Sequence, residues 1–176
     1  MTPPPNVDLK KHMDRVDIVI PEEPPDCVLV VDTREKKPYK FLRPSIKRSL
    51  ATGDYSVRGY EEDMIVERKS LPDLVKCVGS DRERFMDQVK RMQHFKHRML
   101  MIECAWIEID AGGWRSHRVT PNHVNGTLCA IASMGVPFVV AGCRERATAL
   151  TERFLVGCHR REWLYMRRKL IGHSGH

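Results

Sequence analysis

The chain has 176 residues, enough for one domain with a sizeable core, and its 41% hydrophobic and 30% charged content is that of a globular protein in water. No apolar run approaches the roughly 20 residues of a membrane span and no signal-peptide segment opens the chain, so an intracellular protein without a membrane partner is expected. The formal charge of +7 is unevenly placed: residues 1–26 hold three Lys/Arg against six Asp/Glu, net −3, and residues 27–176 hold 27 against 17, net +10, which favours a nucleic-acid partner over a membrane surface.

Residues 1–26 open with Thr-Pro-Pro-Pro and close with Pro-Glu-Glu-Pro-Pro, which predicts a mostly disordered leader around a short apolar patch at Val16 to Ile20. Cys27 to Val31 is a continuous apolar run of strand length that delivers Asp32 at its C-terminal end. Ile46 to Leu50 reads as a short strand or a helical turn.

The stretch from Gly53 to Asp73, GDYSVRGYEEDMIVERKSLPD, predicts a hairpin: strands over Asp54 to Arg58 and Asp63 to Lys69, with Gly59 to Glu62 as the turn. If Arg58 pairs with Asp63, position numbers across the ladder add to 121 and Asp54 falls opposite Glu67. Opposed residues have Cβ atoms roughly 4.5–5.5 Å apart, where like charges repel, so the two carboxylates call for a cation. Strand alternation puts Glu67, Lys69 and Ile65 on one face and Arg68 on the other. A hard divalent ion such as Mg²⁺ prefers carboxylate oxygens, and a lysine beside it can orient or deprotonate a water and stabilise phosphate charge.

Ser70-x-x-Asp73 is a capping box that opens a helix to about Cys77, so Asp73 has a helix-cap reading beside any catalytic one. Ser80-x-x-Glu83 repeats the signal and predicts a longer helix to about His97, with Phe85, Val89 and Met92 as its apolar stripe. His94 and His97 sit three apart on that helix but lack a Cys or acid partner at ligand spacing. A strand over Arg98 to Ile109 follows, then a turn at Asp110 to Trp114. Thr120-Pro121 caps a helix to about Met134, Val136 to Ala141 is a short strand, and a long helix runs from about Arg144 to Leu170. Arg160, Arg161, Arg167 and Arg168 crowd its second half and are expected to add to a DNA surface. The six cysteines have no C-x-x-C spacing and sit mostly in apolar segments, which predicts buried reduced thiols. Helical crossovers between apolar strands indicate an α/β sheet covered on both faces.

Gly53-Asp54, a spacer, Glu67-Arg68-Lys69, three residues and Asp73 resemble the motif of the XPF family of structure-specific DNA endonucleases, a branch of the PD-(D/E)xK restriction-endonuclease-like superfamily. That family also has a strand ending in an acid followed by Arg-Glu, matched by Val28 to Asp32, Arg34 and Glu35, and the likeness covers about Cys27 to Leu155. It implies a restriction-endonuclease-like mixed sheet flanked by helices, with a nuclease domain over 27–171 and a short tail over 172–176. It further implies a Mg²⁺-dependent endonuclease, with Mn²⁺ expected to substitute, acting on branched, flap or junction DNA. Asp54 and Glu67 would ligate the metal, Asp32 would support it, and Lys69 would position the attacking water. Arg68 belongs to the family motif, against the plainer reading of a salt bridge to a helix. Arg34 could contact a phosphate, and Glu35 could hold Arg34 or Lys69.

Relatives often carry helix-hairpin-helix modules after this domain, so the resemblance implies the cutting module alone, paired as a homodimer or heterodimer. The helix near Thr120 and the last helix, with Phe154, Leu155, Trp163, Leu164 and Met166, are the expected contacts. Two competing readings are a noncatalytic DNA-binding or scaffold subunit, and a buried salt-bridge network without chemistry. Retention of Asp32, Asp54, Glu67 and Lys69 together argues against the first, and the cost of opposed buried carboxylates against the second.

Overall fold

The computed structural model describes residues 24–115 and 118–172. Most of the expected leader and tail lie outside the described residues; Gly172, assigned to the tail from sequence, instead closes the last helix. In chain order the elements are β1 (Leu29–Asp32), β2 (Ser45–Arg48), β3 (Tyr55–Val57), β4 (Met64–Ser70), α1 (Leu71–Val78), α2 (Arg82–Met92), β5 (His97–Glu103), α3 (Trp106–Ala111), α4 (Pro121–Ser133), β6 (Phe138–Val140) and α5 (Arg144–Gly172). The strands form one six-stranded mixed sheet in the order β2-β1-β3-β4-β5-β6. β3 runs antiparallel to β1 and β4, and the remaining pairs are parallel. No helix among the described residues is long and apolar enough to cross a membrane.

Alternate strand residues feed two cores, as the two-residue period of a strand requires. Val30, Ile65, Leu100 and Ile102 pack with Leu74, Phe85, Val89 and Leu128 from α1, α2 and α4. Leu29, Val31, Tyr55, Val66 and Met101 pack on the other face with Ala147, Leu155 and Cys158 of α5. The fold is therefore the expected sheet with helices on both faces.

The hairpin has the expected register: Tyr55 pairs with Val66, numbers that add to 121. Its connection is longer than the predicted four residues, because Asp63 and Met64 donate N–H bonds to the Tyr60 carbonyl at 3.0 and 2.9 Å, while Arg58 bonds Val28 of the neighbouring strand at 2.9 Å. Gly53 has φ +81°, and a Cβ there would run into the Ile65 side chain and lie 3.2 Å from the Val66 carbonyl. The glycine before Asp54 is thus demanded by backbone conformation and by close approach to β4.

Several expectations are corrected. α2 ends at Met92 and not near His97, because the His97 N–H bonds the Asp63 carbonyl at 2.8 Å and opens β5 beside Met64. His94 and His97 therefore do not share a helix, and His97 Nε2 instead meets Glu162 Oε1 at 2.7 Å. The cap of α2 is Asp81 without a side-chain hydrogen bond, so the Ser80 capping box does not form. β5 stops at Glu103, opposite the last residue of β4, and having no further strand to pair with the chain turns into α3, where Glu108 accepts the Ala105 N–H at 2.7 Å. All six cysteines are free, but Cys129 and Cys143 are exposed and four are buried.

Leu155 and Trp163, expected at a dimer contact, are buried within the chain itself. Replacing Gly53 by Ala should lower folding stability by more than about 1 kcal/mol, read as a shifted denaturant midpoint, because a side chain is forced into positive φ against a buried isoleucine.

Candidate active site

The C-terminal ends of β1 and β4 and the start of β3 meet at one edge of the sheet. There they line a cleft of about 520 Å³ that includes Asp32, Arg34, Glu35, Asp54, Glu67, Arg68, Lys69 and Asp73. Eight residues expected from sequence thus come together. The arginines of α5 do not: Glu162 on the same half of that helix pairs with Lys96 and His97 at the start of β5, the opposite end of the sheet. Arg160, Arg161 and Arg168 are exposed there, and Arg167 lies over the Trp163 ring at 5.7 Å.

Glu67 is 3% exposed, its Oε1 pairs closely with Lys69 Nζ, and its Oε2 is buried without a hydrogen-bond partner. Across the hairpin, Asp54 Oδ2 accepts the Arg68 backbone N–H at 2.8 Å. Burial and then the Glu67 charge push the Asp54 carboxyl up to about 8, in spite of that hydrogen bond. Burial opposes the charge on Lys69, but the Glu67 carboxylate outweighs it and the lysine stays above its ordinary value. Lys69 is therefore positively charged in the metal-free protein and donates its hydrogen bond to Glu67.

An orphaned carboxylate oxygen and a neighbouring acid driven towards neutrality are the two features that a divalent cation would relieve, so this pair fits one. Among the described residues no group of three or more His, Cys, Asp or Glu is arranged to hold a metal. Two carboxylates with water and substrate phosphate completing the shell is how Mg²⁺ is commonly bound.

Asp32, expected to support the metal, is 2% exposed and its oxygens are already engaged. Oδ1 accepts the Arg34 N–H and Nε, both at 2.8 Å, and Oδ2 accepts the Leu50 N–H at 2.7 Å and Arg34 Nη2 at 3.1 Å. Burial raises its carboxyl, and the hydrogen bonds from Arg34 and Leu50 outweigh that and hold it low. Asp32 consequently anchors Arg34 at the cleft edge and is not placed as a direct ligand.

Arg68 points to the opposite sheet face, as strand alternation requires. Its guanidinium forms a two-pronged pair with Glu103 at 2.8 and 2.7 Å, lies 3.5 Å from Glu35, and sits 5.9 Å from the Tyr39 ring centroid. Its partners stand at the end of β5 and in the loop after β1, not on a helix. Glu35 accordingly holds Arg68, and not Arg34 or Lys69. Asp73 forms the predicted cap, its N–H reaching Ser70 Oγ at 3.3 Å while that hydroxyl donates to Asp73 Oδ2 at 2.6 Å.

Sequence reasoning missed Lys36, Lys37, Gln88 and Arg91, which also line the cleft. A helical projection of α2 carries the signal for two of them, since Gln88 and Arg91 each precede a buried member of the apolar stripe.

No curated protein sequence matches the chain in comparison. Among solved structures, XPF from Aeropyrum pernix superposes with TM-score 0.58 at 20% identity over 81% of this chain and 73% of that one. XPF from Aeropyrum pernix in complex with DNA gives TM-score 0.56 at 20% identity over 79% and 64%. These likenesses show the fold, and the ERCC4 domain profile matches residues 31–153, well over half the chain and spanning Asp54 to Lys69, so the chain belongs to the ERCC4 domain family.

Proposed function

We propose that the chain is a divalent-metal-dependent DNA endonuclease acting on branched, flap or junction DNA, with Mg²⁺ as the natural ion and Mn²⁺ able to replace it. The observation that carries this reading is the pair of neighbouring acids in the cleft: Glu67 has an orphaned buried oxygen, and burial and the Glu67 charge raise the pKa of Asp54. Membership of the ERCC4 family and a relative whose structure contains DNA support it. Asp54 and Glu67 would hold the ion, which supplies Lewis acidity at a phosphodiester and makes a water a better nucleophile at neutral pH.

The chain's own groups do the rest. Lys69, kept protonated by Glu67, donates a hydrogen bond towards the attacked phosphate and stabilises charge as the P–O bond breaks. Arg34, fixed by Asp32, offers its exposed guanidinium edge to a neighbouring phosphate. Arg68 works behind the site: its backbone N–H orients Asp54 while its side chain locks the strand to Glu103. Pairing with a second similar domain belongs to the same proposal, with Tyr165, Met166 and Leu170 of α5 as exposed apolar residues that such a partner would cover.

Cleavage of labelled flap, fork, junction and linear DNA with Mg²⁺, against EDTA, tests the reading. Asp54→Asn and Glu67→Gln should bring cleavage below detection, and Lys69→Ala should slow it about 10²–10³-fold; wild-type rates in all three would remove the site. Without metal these two carboxylate variants should melt no lower than wild type, since each relieves repulsion.

The pH dependence has a definite sign. A carboxyl whose folded value is raised favours the fold at low pH, and that contribution is lost as pH climbs from its ordinary value near 4 to about 8. Metal-free wild type should therefore lose melting temperature across this window relative to Asp54→Asn, and added Mg²⁺ should narrow the gap.

A further inference from the structure

Four side chains at the cleft have no role in the chemistry above: Lys36 and Lys37 in the loop after β1, and Gln88 and Arg91 on α2. They stand on two sides of the carboxylate floor. Gln88 and Arg91 lie three apart on one helix face, and the burial of Phe85, Val89 and Met92 fixes the rotation of α2 that turns this face to the cleft. Lys69 Nζ rests 5.4 Å from the Phe85 ring centroid, which ties the buried side of α2 to the site.

On the other side the backbone is pinned. The Glu35 N–H bonds the Asp32 carbonyl at 3.1 Å, Glu35 Oε1 accepts the Lys37 N–H at 2.6 Å, and Arg144 Nη2 donates to the Lys37 and Pro38 carbonyls at 2.6 and 2.9 Å. The exposed Lys36 and Lys37 therefore spring from a fixed segment. Among the described residues, Lys36, Lys37 and Arg91 form no ion pair.

A floor of two acids repels a polyanion, so a strand crossing it has to be held from the rims. We infer that Lys36 and Lys37 on one bank and Gln88 and Arg91 on the other grip the backbone phosphates on either side of the one being cut. This rests on the endonuclease reading. The cations supply affinity and Gln88 a neutral hydrogen bond, and because both banks are tied to the fold they fix the register of the strand over Glu67. None of the four is needed for the bond-breaking step itself.

The test measures binding of a fluorescent forked DNA to the Glu67→Gln protein in EDTA over a salt series. Lys36→Gln/Lys37→Gln and Arg91→Gln are then added, with Arg48→Gln as control, because Arg48 pairs with Glu61 at 2.6 Å and does not line the cleft. Each lost phosphate contact should shrink the slope of log affinity against log salt by roughly 0.9 on duplex and 0.7 on single-stranded DNA. Gln88→Ala should weaken binding several-fold with the slope unchanged.

In Glu67-intact protein the same substitutions should raise KM and retain most of kcat, while melting temperatures stay at wild type. Slopes unchanged for Lys36/Lys37 and Arg91, or reduced equally by Arg48→Gln, would overturn the two-banked grip while leaving the endonuclease reading in place. Absence of any DNA binding by Glu67→Gln protein, together with absence of cleavage by wild type, would overturn both.

Discussion

Two carboxylates held close together at the mouth of the β3–β4 hairpin dominate the physics of this domain. Asp54 and Glu67 are brought together by the Tyr55–Val66 register, and that register is held by the burial of Tyr55 and Val66 in the α5-side core and of Ile65 on the opposite face. A one-residue slip would turn every buried residue of β4 to the wrong face, so the hydrophobic pattern enforces the repulsion. The fold accommodates it locally: Lys69 neutralises one side of Glu67, and the Arg68 N–H steadies Asp54. What is left is a buried oxygen without a partner and an acid whose proton is hard to remove. Such sites are characteristic of metal-assisted hydrolysis, in which the protein keeps unfavourable charge in place for a cation to complete.

Behind the pair lies a second layer of charge. Glu103 at the end of β5 receives Arg68 on one side and Arg144 of α5, at 2.9 Å, on the other, and both guanidinium groups lie within 6 Å of the Tyr39 ring centroid. This links β4, β5, the first turn of α5 and the loop after β1, the four pieces whose relative placement sets the cleft. Buried ion pairs of this kind add little net stability compared with apolar packing, but they fix geometry, and breaking one partner leaves an uncompensated charge. The motif arginine thus acts as a strut for the motif glutamate and for Asp54.

Much of this was legible in the sequence because it is local. The turn between Asp54 and Glu67 fixes the Tyr55–Val66 register that brings the two acids together, although Asp54 itself lies just before β3 and bonds its N–H to the Val66 carbonyl at 2.9 Å; the alternation from Glu67 to Lys69 fixes the faces, and Ser70 with Asp73 announces the helix that follows. The parts that were not legible depend on contacts distant in sequence. Nothing near Arg68 indicates Glu103, 35 residues away, and nothing near Asp32 shows that Leu50 and Arg34 exhaust its oxygens. α2 ends short of the helix that propensity alone carries to His97, because pairing with Met64 claims that residue for β5. The arginines of α5 formed a conspicuous charge cluster in sequence, yet the length and direction of the helix carry them to the far end of the sheet, while the less conspicuous Arg91 reaches the cleft.

The claim that the opposed carboxylates form a cation site is tested most directly by calorimetric titration of Mn²⁺ into metal-free protein at pH 7, in two buffers of different ionisation enthalpy. Binding to a pair in which Asp54 is held up to about 8 must release a proton, so the apparent enthalpy should change with the buffer, and Glu67→Gln should abolish the binding. Absence of saturable Mn²⁺ binding to the wild-type chain, or equal binding by Glu67→Gln, would contradict the account.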